Sequence, residues 1–327
     1  MEQEIVSLRD VSVTFKQRKT SITAVRGISL DLRRGKIISV VGESGSGKTT
    51  LGRVITLLER PTQGSVLYKG VDAWSMKPER FMKVKVKLQY VYQDPYSSLN
   101  PVKSVYETLA AVIKSHRKEL GPQDIRGRVV ELLELVGLTP PEYFLNKYPH
   151  HLSGGMRQRL NIARALIPDP EVLVADEPVS MVDPSLKVSI LDLLRDLNAK
   201  LGVSIVYITH ELGTIKYLAP DSKMLVMLRG VVVEEGMARE VIEKPLHPYT
   251  VALLAFSSAL DPWLLSKREL FTRQPKRALS TDAKGCPFAD RCPWARENCA
   301  KSLPPLASVD GRRVRCFYAD EVKGALG

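Results

Sequence analysis

One glycine-rich segment holds the residues with the clearest chemical potential. It consists of Gly42, Glu43, Ser44, Gly45, Ser46, Gly47, Lys48, Thr49 and Thr50. Its first eight residues fit the pattern G-x-x-x-x-G-K-[ST], in which backbone N–H groups wrap around phosphate oxygens. A helix that begins at the end of the segment adds partial positive charge. Lys48 would bridge the β- and γ-phosphates of a nucleotide, and Thr49 would offer its hydroxyl to Mg²⁺.

Two adjacent carboxylates, Asp176 and Glu177, follow the apolar run of residues 172–175. The carboxyl ends of parallel strands share one edge of a sheet, so both side chains are expected beside the phosphate-binding segment. Asp176 suits holding Mg²⁺ through its water ligands, whereas Glu177 suits a base that polarises an attacking water. Without other motifs, such a pair of carboxylates is a solvated strand end about as often as it is a functional site. The glycine-rich segment makes hydrolysis of a nucleotide the favoured interpretation.

The elements that position these residues alternate between strand and helix. The first 35 residues alternate apolar and polar in short runs, which indicates antiparallel strands. Helical spacing extends from Val102 to about Tyr148 and ends at Gly137 in its clearest part. Helices are also predicted over residues 50–58, 154–167 and 189–201, strands over residues 37–41, 172–175 and 203–209, and a hairpin at Arg229-Gly230. This order predicts a doubly wound α/β core with an antiparallel β subdomain and an inserted helical subdomain.

The run Leu152-Ser153-Gly154-Gly155-Met156-Arg157-Gln158 is a capped helix start whose glycines let backbone approach an anion closely. Placed about 20 residues before the strand that ends in Asp176 and Glu177, it resembles the signature of ABC ATPases. The resemblance implies a P-loop (RecA-like) ABC ATPase core that binds and hydrolyses ATP with Mg²⁺. It also implies a head-to-tail dimer, in which Ser153, Gly154, Gly155 and Gln158 act on the ATP of the partner chain.

The other residues of an ABC ATPase follow in order along the chain. Gln93 resembles the Q-loop glutamine, which senses Mg²⁺ together with Thr49 and Asp176, and His210 resembles the switch histidine that contacts the γ-phosphate. Asp183 resembles the D-loop aspartate, although the Met-Val pair before it departs from the usual small residues. Phe15 matches the aromatic residue that stacks on adenine.

Four shorter segments narrow the resemblance to the oligopeptide/dipeptide importer ATPases. They cover residues 96–101, 148–150, 245–250 and 285–293. The resemblance implies a motor subunit that powers uptake of oligopeptides, dipeptides or a related solute. Its implied partners are a second, related but different ABC ATPase subunit, two transmembrane permease subunits and an extracytoplasmic substrate-binding protein. The implied division is an ABC nucleotide-binding domain over residues 1–257, with its helical subdomain at about 100–168, and a C-terminal extension over residues 258–327.

The charge and hydropathy of the chain limit the classes of protein to which it can belong. The 327 residues carry a formal charge of +12, but the basic residues are scattered, so nucleic-acid binding is not expected. No signal peptide is predicted, and the longest nearly uncharged apolar stretch falls short of the ~18 residues of a membrane span. A place at the cytoplasmic face of the cell membrane, as a peripheral subunit, is therefore expected. The alternative is a soluble ABC ATPase of translation or DNA repair, which usually carries two cassettes or a long coiled coil.

Four cysteines, Cys286, Cys292, Cys299 and Cys316, lie near the C-terminus with spacing C-x₅-C-x₆-C-x₁₆-C. Disulfides are disfavoured in a reducing compartment. Four thiolates suit tetrahedral zinc or an iron–sulfur cluster, although the tight spacing of zinc ribbons is absent. The resembling family carries a similar pattern associated with a [4Fe–4S] cluster, which is the favoured interpretation. Zinc and free buried thiols are the alternatives.

Overall fold

The structure is a computed structural model that describes residues 3–17, 20–257, 262–271 and 284–326. Its strands are β1 (Glu4–Gln17), β2 (Thr20–Arg33), β3 (Ile37–Val41), β4 (Gln63–Tyr68), β5 (Val71–Asp72), β6 (Leu88–Val91), β7 (Val172–Asp176), β8 (Ser204–Thr209), β9 (Lys223–Leu228), β10 (Val231–Met237), β11 (Ala307–Val309) and β12 (Arg312–Val314). Its α-helices are α1 (Lys48–Ile55), α2 (Pro78–Val86), α3 (Val105–His116), α4 (Pro122–Leu135), α5 (Pro141–Leu145), α6 (Gly154–Leu166), α7 (Pro184–Leu201), α8 (Leu212–Leu218), α9 (Ala238–Glu243), α10 (Pro248–Ser257), α11 (Pro262–Phe271), α12 (Glu297–Lys301) and α13 (Ala319–Leu326).

The central sheet has the strand order β11-β12-β10-β9-β3-β8-β7-β6. Strands β9, β3, β8, β7 and β6 run parallel to one another, and β10, β12 and β11 continue the sheet with antiparallel pairing. Every residue of β7 and β8 is buried, as expected for parallel strands covered on both faces. The predicted α/β core is confirmed.

A second, antiparallel sheet has the order β2-β1-β4-β5. The two 14-residue strands β1 and β2 pair along their length, so the alternating pattern of the first 35 residues is confirmed as a hairpin. This sheet shares a hydrophobic cluster with one face of the central sheet, through residues such as Val13, Val25 and Val206. It therefore brings the hairpin next to the strand ends that carry the phosphate-binding segment.

Helices α3 to α6 lie between β6 and β7 in the chain. Helix α4 ends two residues before Gly137, whose φ of +70° supports the predicted stop. Helix α6 is capped as predicted, because Ser153 Oγ accepts a hydrogen bond from the N–H of Met156 at 3.3 Å. Helix α7 begins at Pro184, five residues before its predicted start at residue 189. Its first turn is mostly exposed and lacks an apolar stripe, so only proline at the first helical position indicates the earlier start.

The C-terminal part of the chain extends the central sheet instead of standing apart from it. Strand β12 pairs with β10, and Arg312 forms a buried ion pair with Glu234 at 3.3 Å. The sequence analysis missed the β11–β12 hairpin because its strands are only three residues long. The dipeptide Asp310-Gly311 is the sequence signal for this hairpin. In the structure it forms the turn, with φ of +49° and +75°. The predicted domain boundary at residue 258 lies outside the described residues.

No helix in the described parts of the chain is both long enough and apolar enough to cross a membrane.

Candidate active site

The phosphate-binding segment connects the buried strand β3 to the start of α1, as predicted. At two positions of this segment only glycine fits sterically. A Cβ atom at Gly47, where φ is +100°, would lie 2.1 Å from the carbonyl oxygen of Ala24, and one at Gly42 would lie 2.2 Å from that of Met227. Any side chain at either position would push the segment away from the neighbouring strands.

Lys48 lies buried at the base of the segment. Its Nζ donates hydrogen bonds to the carbonyl oxygens of Gly42 at 2.7 Å and Glu43 at 2.9 Å. Burial lowers the pKa of Lys48, and the negative charges of Glu177, Asp176 and Glu43 partly oppose that shift. Lys48 is thus hydrogen-bonded within its own segment. Phosphate oxygens would compete with the two carbonyl oxygens for its ammonium group.

Asp176 receives two hydrogen bonds on one oxygen. Thr49 Oγ1 and the Tyr90 hydroxyl both donate to Oδ2, at 2.8 and 2.6 Å, whereas the buried Oδ1 has no partner. Burial raises the pKa of Asp176, and the two hydrogen bonds oppose that rise. An unpartnered carboxylate oxygen beside a threonine hydroxyl fits a site for Mg²⁺ and its water ligands.

Glu177 is held by residues from two other loops. Gln93 Nε2 donates to its Oε2 at 2.9 Å, and His210 Nδ1 lies 3.0 Å from its Oε1. Glu177 has φ of +45°, a backbone conformation that side-chain-bearing residues rarely adopt. Its N–H donates to the carbonyl oxygen of Ile208 at 2.9 Å, which ties this conformation to β8. Such strain is concentrated at functional sites.

These residues surround an open cavity of about 730 Å³. Its lining consists of Ala24, Glu43, Ser44, Gly45, Gly47, Lys48, Thr49, Thr50, Gln93, Glu177, His210, Leu253, Phe256 and Ser257. Gly42, Ser46 and Asp176 are buried and do not line the cavity themselves. The structure therefore brings most of the sequence-predicted ATP residues together, and it adds residues of α10 that the sequence analysis did not assign to the site.

Phe15 and the signature residues do not line this cavity. Phe15 lies opposite Ile22 in the β1–β2 hairpin and is 40% exposed, so its stacking on adenine stays a prediction. Gly154 approaches the segment before α7, where a Cβ atom on it would lie 2.9 Å from the carbonyl oxygen of Met181. Ser153 and Asp183 are exposed, Gly155 is buried, and the buried Gln158 amide has no hydrogen-bond partner. The residues that resemble the signature and the D-loop thus lie outside the cavity of their own chain.

Tyr90 is the functional candidate that sequence reasoning missed. A tyrosine in an apolar strand is normally interpreted as a core residue, and its position in the sequence does not indicate the hydroxyl contact with Asp176. Tyr90→Phe is expected to raise the Mg²⁺ concentration needed for half-maximal ATP hydrolysis by about three- to tenfold. Loss of this hydrogen bond also lets the pKa of Asp176 rise further. As the pH is lowered, activity of Tyr90→Phe should therefore begin to fall at a higher pH than activity of the parent protein. Magnesium titrations at several pH values measure both effects.

Tyr92→Phe provides the matched control, because Tyr92 is exposed and its ring packs against Tyr90 at a centroid distance of 4.8 Å. It should leave the magnesium requirement unchanged. An identical magnesium curve for Tyr90→Phe and the parent protein would show that Asp176 needs no hydroxyl donor from β6.

The four cysteines lie in one small region as free thiols. The N–H of Cys286 donates to the carbonyl oxygen of Cys299 at 2.7 Å. Burial, reinforced by the other cysteines, raises the pKa of Cys286 to about 11, that of Cys292 to about 12, and that of Cys316 as well. Among the described residues, no three His, Cys, Asp or Glu side chains are arranged to hold a metal ion.

The chain is similar to known proteins along nearly all of its length. Residues 25–180 match the ABC transporter family, and residues 233–299 match the oligopeptide/dipeptide transporter C-terminal region. The dipeptide transport ATP-binding protein DppF of Haemophilus influenzae is 40% identical over 91% of this chain and 90% of its own. The oligopeptide transport ATP-binding protein OppF of Salmonella typhimurium is 37% identical over 94% of this chain and 91% of its own.

Solved structures give the same fold. The ATP-binding cassette MJ0796, determined as a dimer in a post-hydrolysis state with ADP and phosphate, has a TM-score of 0.64 at 30% identity. The match covers 72% of this chain and 99% of that one. The cbiO1 protein of Clostridium perfringens, part of an ABC transporter complex, has a TM-score of 0.65 at 27% identity over 77% of this chain and 96% of its own.

Proposed function

The chain belongs to the ATP-binding subunits of the oligopeptide/dipeptide branch of ABC transporters, and we propose that it hydrolyses ATP to drive solute uptake through partner permeases. The observation that carries this proposal is the meeting of Lys48, Gln93, Glu177 and His210 around one cavity that opens beside a phosphate-binding helix start. A non-hydrolysing regulatory subunit is disfavoured, because both Glu177 and His210 are present and in contact.

We assign the steps of hydrolysis to the groups that line the cavity. Backbone N–H groups of residues 45–49 and the Lys48 ammonium bind the phosphates, and Thr49 and Asp176 hold Mg²⁺. Mg²⁺ bound there would offset the negative charge of the phosphates. Glu177 orients the attacking water and accepts its proton, while Gln93 and His210 fix the carboxylate between them. His210 then contacts the γ-phosphate.

We propose that one chain forms only half of each site. The supporting observation is that Ser153 and Gly154 lie at a capped helix start that does not line the cavity of their own chain. A helix start of this kind binds anions, so it suits the γ-phosphate held by a partner chain. The dimeric state of the solved cassette MJ0796 supports the same arrangement. By family resemblance, the partner ATPase is a related but different chain.

The proposal for the remaining partners is supported by the relatives, which are named as ATP-binding proteins of dipeptide and oligopeptide transport. We propose two transmembrane permease subunits and an extracytoplasmic substrate-binding protein, with this chain as a peripheral subunit at the cytoplasmic face of the membrane. The solute is selected by the binding protein and the permease, so this chain supplies the energy for uptake without contacting the cargo.

Purification of the tagged chain from detergent-solubilised membranes tests the proposal. We expect it to recover two hydrophobic permease subunits and a second ATPase. ATP hydrolysis by the complex in liposomes should rise when the loaded binding protein is added. A Glu177→Gln complex should assemble equally but give no such rise. Recovery with ribosomes or DNA alone would support the soluble ABC ATPase of translation or repair.

We also propose the division of the chain into an ABC domain over residues 1–257 and an extension over residues 258–327, with a helical subdomain at about 100–168. Helices α3 to α6 lie in that stretch and support the last of these assignments. The pairing of β12 with β10 adds that the extension and the ABC domain share one sheet.

For the four cysteines we propose a [4Fe–4S] cluster, with zinc as the alternative. The support is chemical: four thiols near one another are the donor type that either group takes. Their side chains are not arranged around a common point in the described residues, so binding would have to draw them together. The raised pKa values of Cys286, Cys292 and Cys316 mean that binding must release protons, so affinity should increase with pH. None of the four cysteines lines the cavity to which ATP hydrolysis is assigned.

Protein purified without oxygen should absorb broadly near ~400 nm and contain about four irons per chain. Cys299→Ser should remove the absorption band. One zinc per chain and no band would establish the zinc alternative, and the absence of both metals would establish free thiols.

A further inference from the structure

The cysteine segment, residues 284–316, makes a direct contact with the phosphate-binding segment. Arg291 Nη1 and Nη2 each donate to one oxygen of the Glu43 carboxylate, both at 3.0 Å. The two residues are 248 positions apart in the sequence. A two-pronged pair of this kind fixes both the position and the orientation of the carboxylate.

A second contact connects Glu43 to the cysteine segment through Tyr249. Its backbone N–H donates to the hydroxyl of Tyr249 at 2.7 Å. The Tyr249 ring packs edge-to-face against Phe288 with a centroid distance of 5.5 Å, and the Arg291 guanidinium lies 5.1 Å from the centre of the same Phe288 ring. Both the side chain and the backbone of Glu43 are therefore tied to residues 288–291.

Residues 288–291 themselves form a tight turn between two cysteines. The N–H of Ala289 donates to the carbonyl oxygen of Cys286 at 3.1 Å, and the N–H of Arg291 donates to that of Phe288 at 3.0 Å. Cys292 follows Arg291 directly. A rearrangement around Cys286 or Cys292 would move the guanidinium that holds Glu43.

Glu43 is the only acidic residue of the phosphate-binding segment, and it lines the cavity. Its side chain is 36% exposed, and that of Arg291 is 31% exposed. Without a cation beside it, this carboxylate would repel the triphosphate that enters the cavity. With Arg291 in place, the charge is neutralised and the carboxylate is held toward the cysteine segment.

We propose that Arg291 is a positioning residue for nucleotide binding, which neutralises and restrains Glu43 and thereby couples the conformation of the cysteine segment to the affinity for ATP. Arg291 does not contact the reacting atoms. It acts through Glu43, and the state of the cysteine segment sets how well it does so. The proposal rests on ATP binding at the phosphate-binding segment, as proposed above.

The test is a double-mutant cycle between Arg291 and Glu43. Dissociation constants for the magnesium complex of a non-hydrolysable ATP analogue are measured on the full chain and on Arg291→Gln, Glu43→Gln and the double variant. Arg291→Gln should weaken binding by about three- to tenfold, because the pair is partly screened by solvent. Arg291→Gln should have no further effect when Glu43 is already replaced by glutamine, and Arg291→Lys should recover part of the loss.

Three further readouts separate positioning from a general effect on folding. The unfolding temperature without nucleotide identifies any variant that is merely less stable. The effect of Arg291→Gln on affinity should shrink as the salt concentration rises. Because coupling between two sites is reciprocal, the nucleotide should slow backbone hydrogen exchange in residues 285–292 of the parent protein and not in Arg291→Gln.

Equal losses of affinity from Arg291→Gln in the parent protein and in the Glu43→Gln background would overturn the proposal, since Arg291 would then act independently of the carboxylate. Unchanged affinity in Arg291→Gln would overturn it as well. If the parent protein itself binds no nucleotide, the proposed ATPase function fails, and that result is distinguishable from a failure of the coupling alone.

Discussion

Replacement of Glu177 by glutamine is expected to lower the rate of ATP hydrolysis by about 10²- to 10³-fold while leaving ATP affinity within about twofold of the parent value. Glutamine keeps the shape of the side chain and one oxygen that can accept the hydrogen bond from Gln93, but it cannot take a proton from water. Single-turnover hydrolysis of radiolabelled ATP, together with equilibrium binding of the nucleotide, measures the two quantities.

The same change should also stabilise a closed dimer. In the proposed composite site, ATP that is bound but not hydrolysed would continue to bridge the phosphate-binding segment of one chain and the signature of the other, because nothing removes the γ-phosphate. Size-exclusion chromatography with light scattering should show that Glu177→Gln forms a dimer with its partner ATPase in the presence of ATP. After dilution into ADP, the two chains should elute as monomers.

Glu211→Gln is the matched control. Glu211 follows His210 in the chain, but its carboxylate pairs with Lys187 at 2.7 Å instead of facing the cavity. Loss of a partly exposed pair costs less than about 1 kcal/mol, so hydrolysis should stay close to that of the parent protein. If Glu177→Gln hydrolyses ATP as fast as Glu211→Gln, the base is another residue.

The central part of the fold was predictable because its signals are local. Residues 172–175 are a continuous apolar run, and residues 37–41 are apolar except for the buried Ser39. Such runs are typical of strands covered on both faces in an α/β protein. Parallel strands end at one edge, so the meeting of Lys48, Asp176 and Glu177 follows from their positions just after those strands. Gly137 and Gly202 marked helix ends because left-handed backbone favours glycine.

What escaped prediction depends on contacts between distant parts of the chain. The hydroxyl of Tyr90 gains a role only because β6 lies beside β7, which places it 2.6 Å from Asp176. The pair between Arg291 and Glu43 connects two segments that no periodicity relates. The sequence resembled known importer ATPases at residues 285–293, but that resemblance gave those residues no physical role. Their packing against Tyr249 and Glu43 supplies one.

Replacement of Lys48 by alanine is expected to weaken ATP binding by about 10²-fold or more, because it removes the buried cation that we propose to contact the phosphates. The surroundings of Lys48 also predict how its removal affects stability. Lys48 is desolvated, its pKa is lowered, and it bonds only to backbone carbonyls of its own segment. Its removal relieves a buried charge at the same time as it leaves two carbonyls without a donor, so the unliganded protein should change little in stability.

Thermal or chemical unfolding with and without nucleotide separates these two effects. At a ligand concentration 100 times the dissociation constant, binding stabilises the parent protein by about 2.7 kcal/mol. A 100-fold loss of affinity at the same concentration leaves only about 0.4 kcal/mol. Lys83→Ala, which removes an exposed lysine of α2, should keep the full stabilisation. Full stabilisation of Lys48→Ala by ATP would mean that the backbone N–H groups of residues 45–49 and the start of α1 bind the phosphates without this cation.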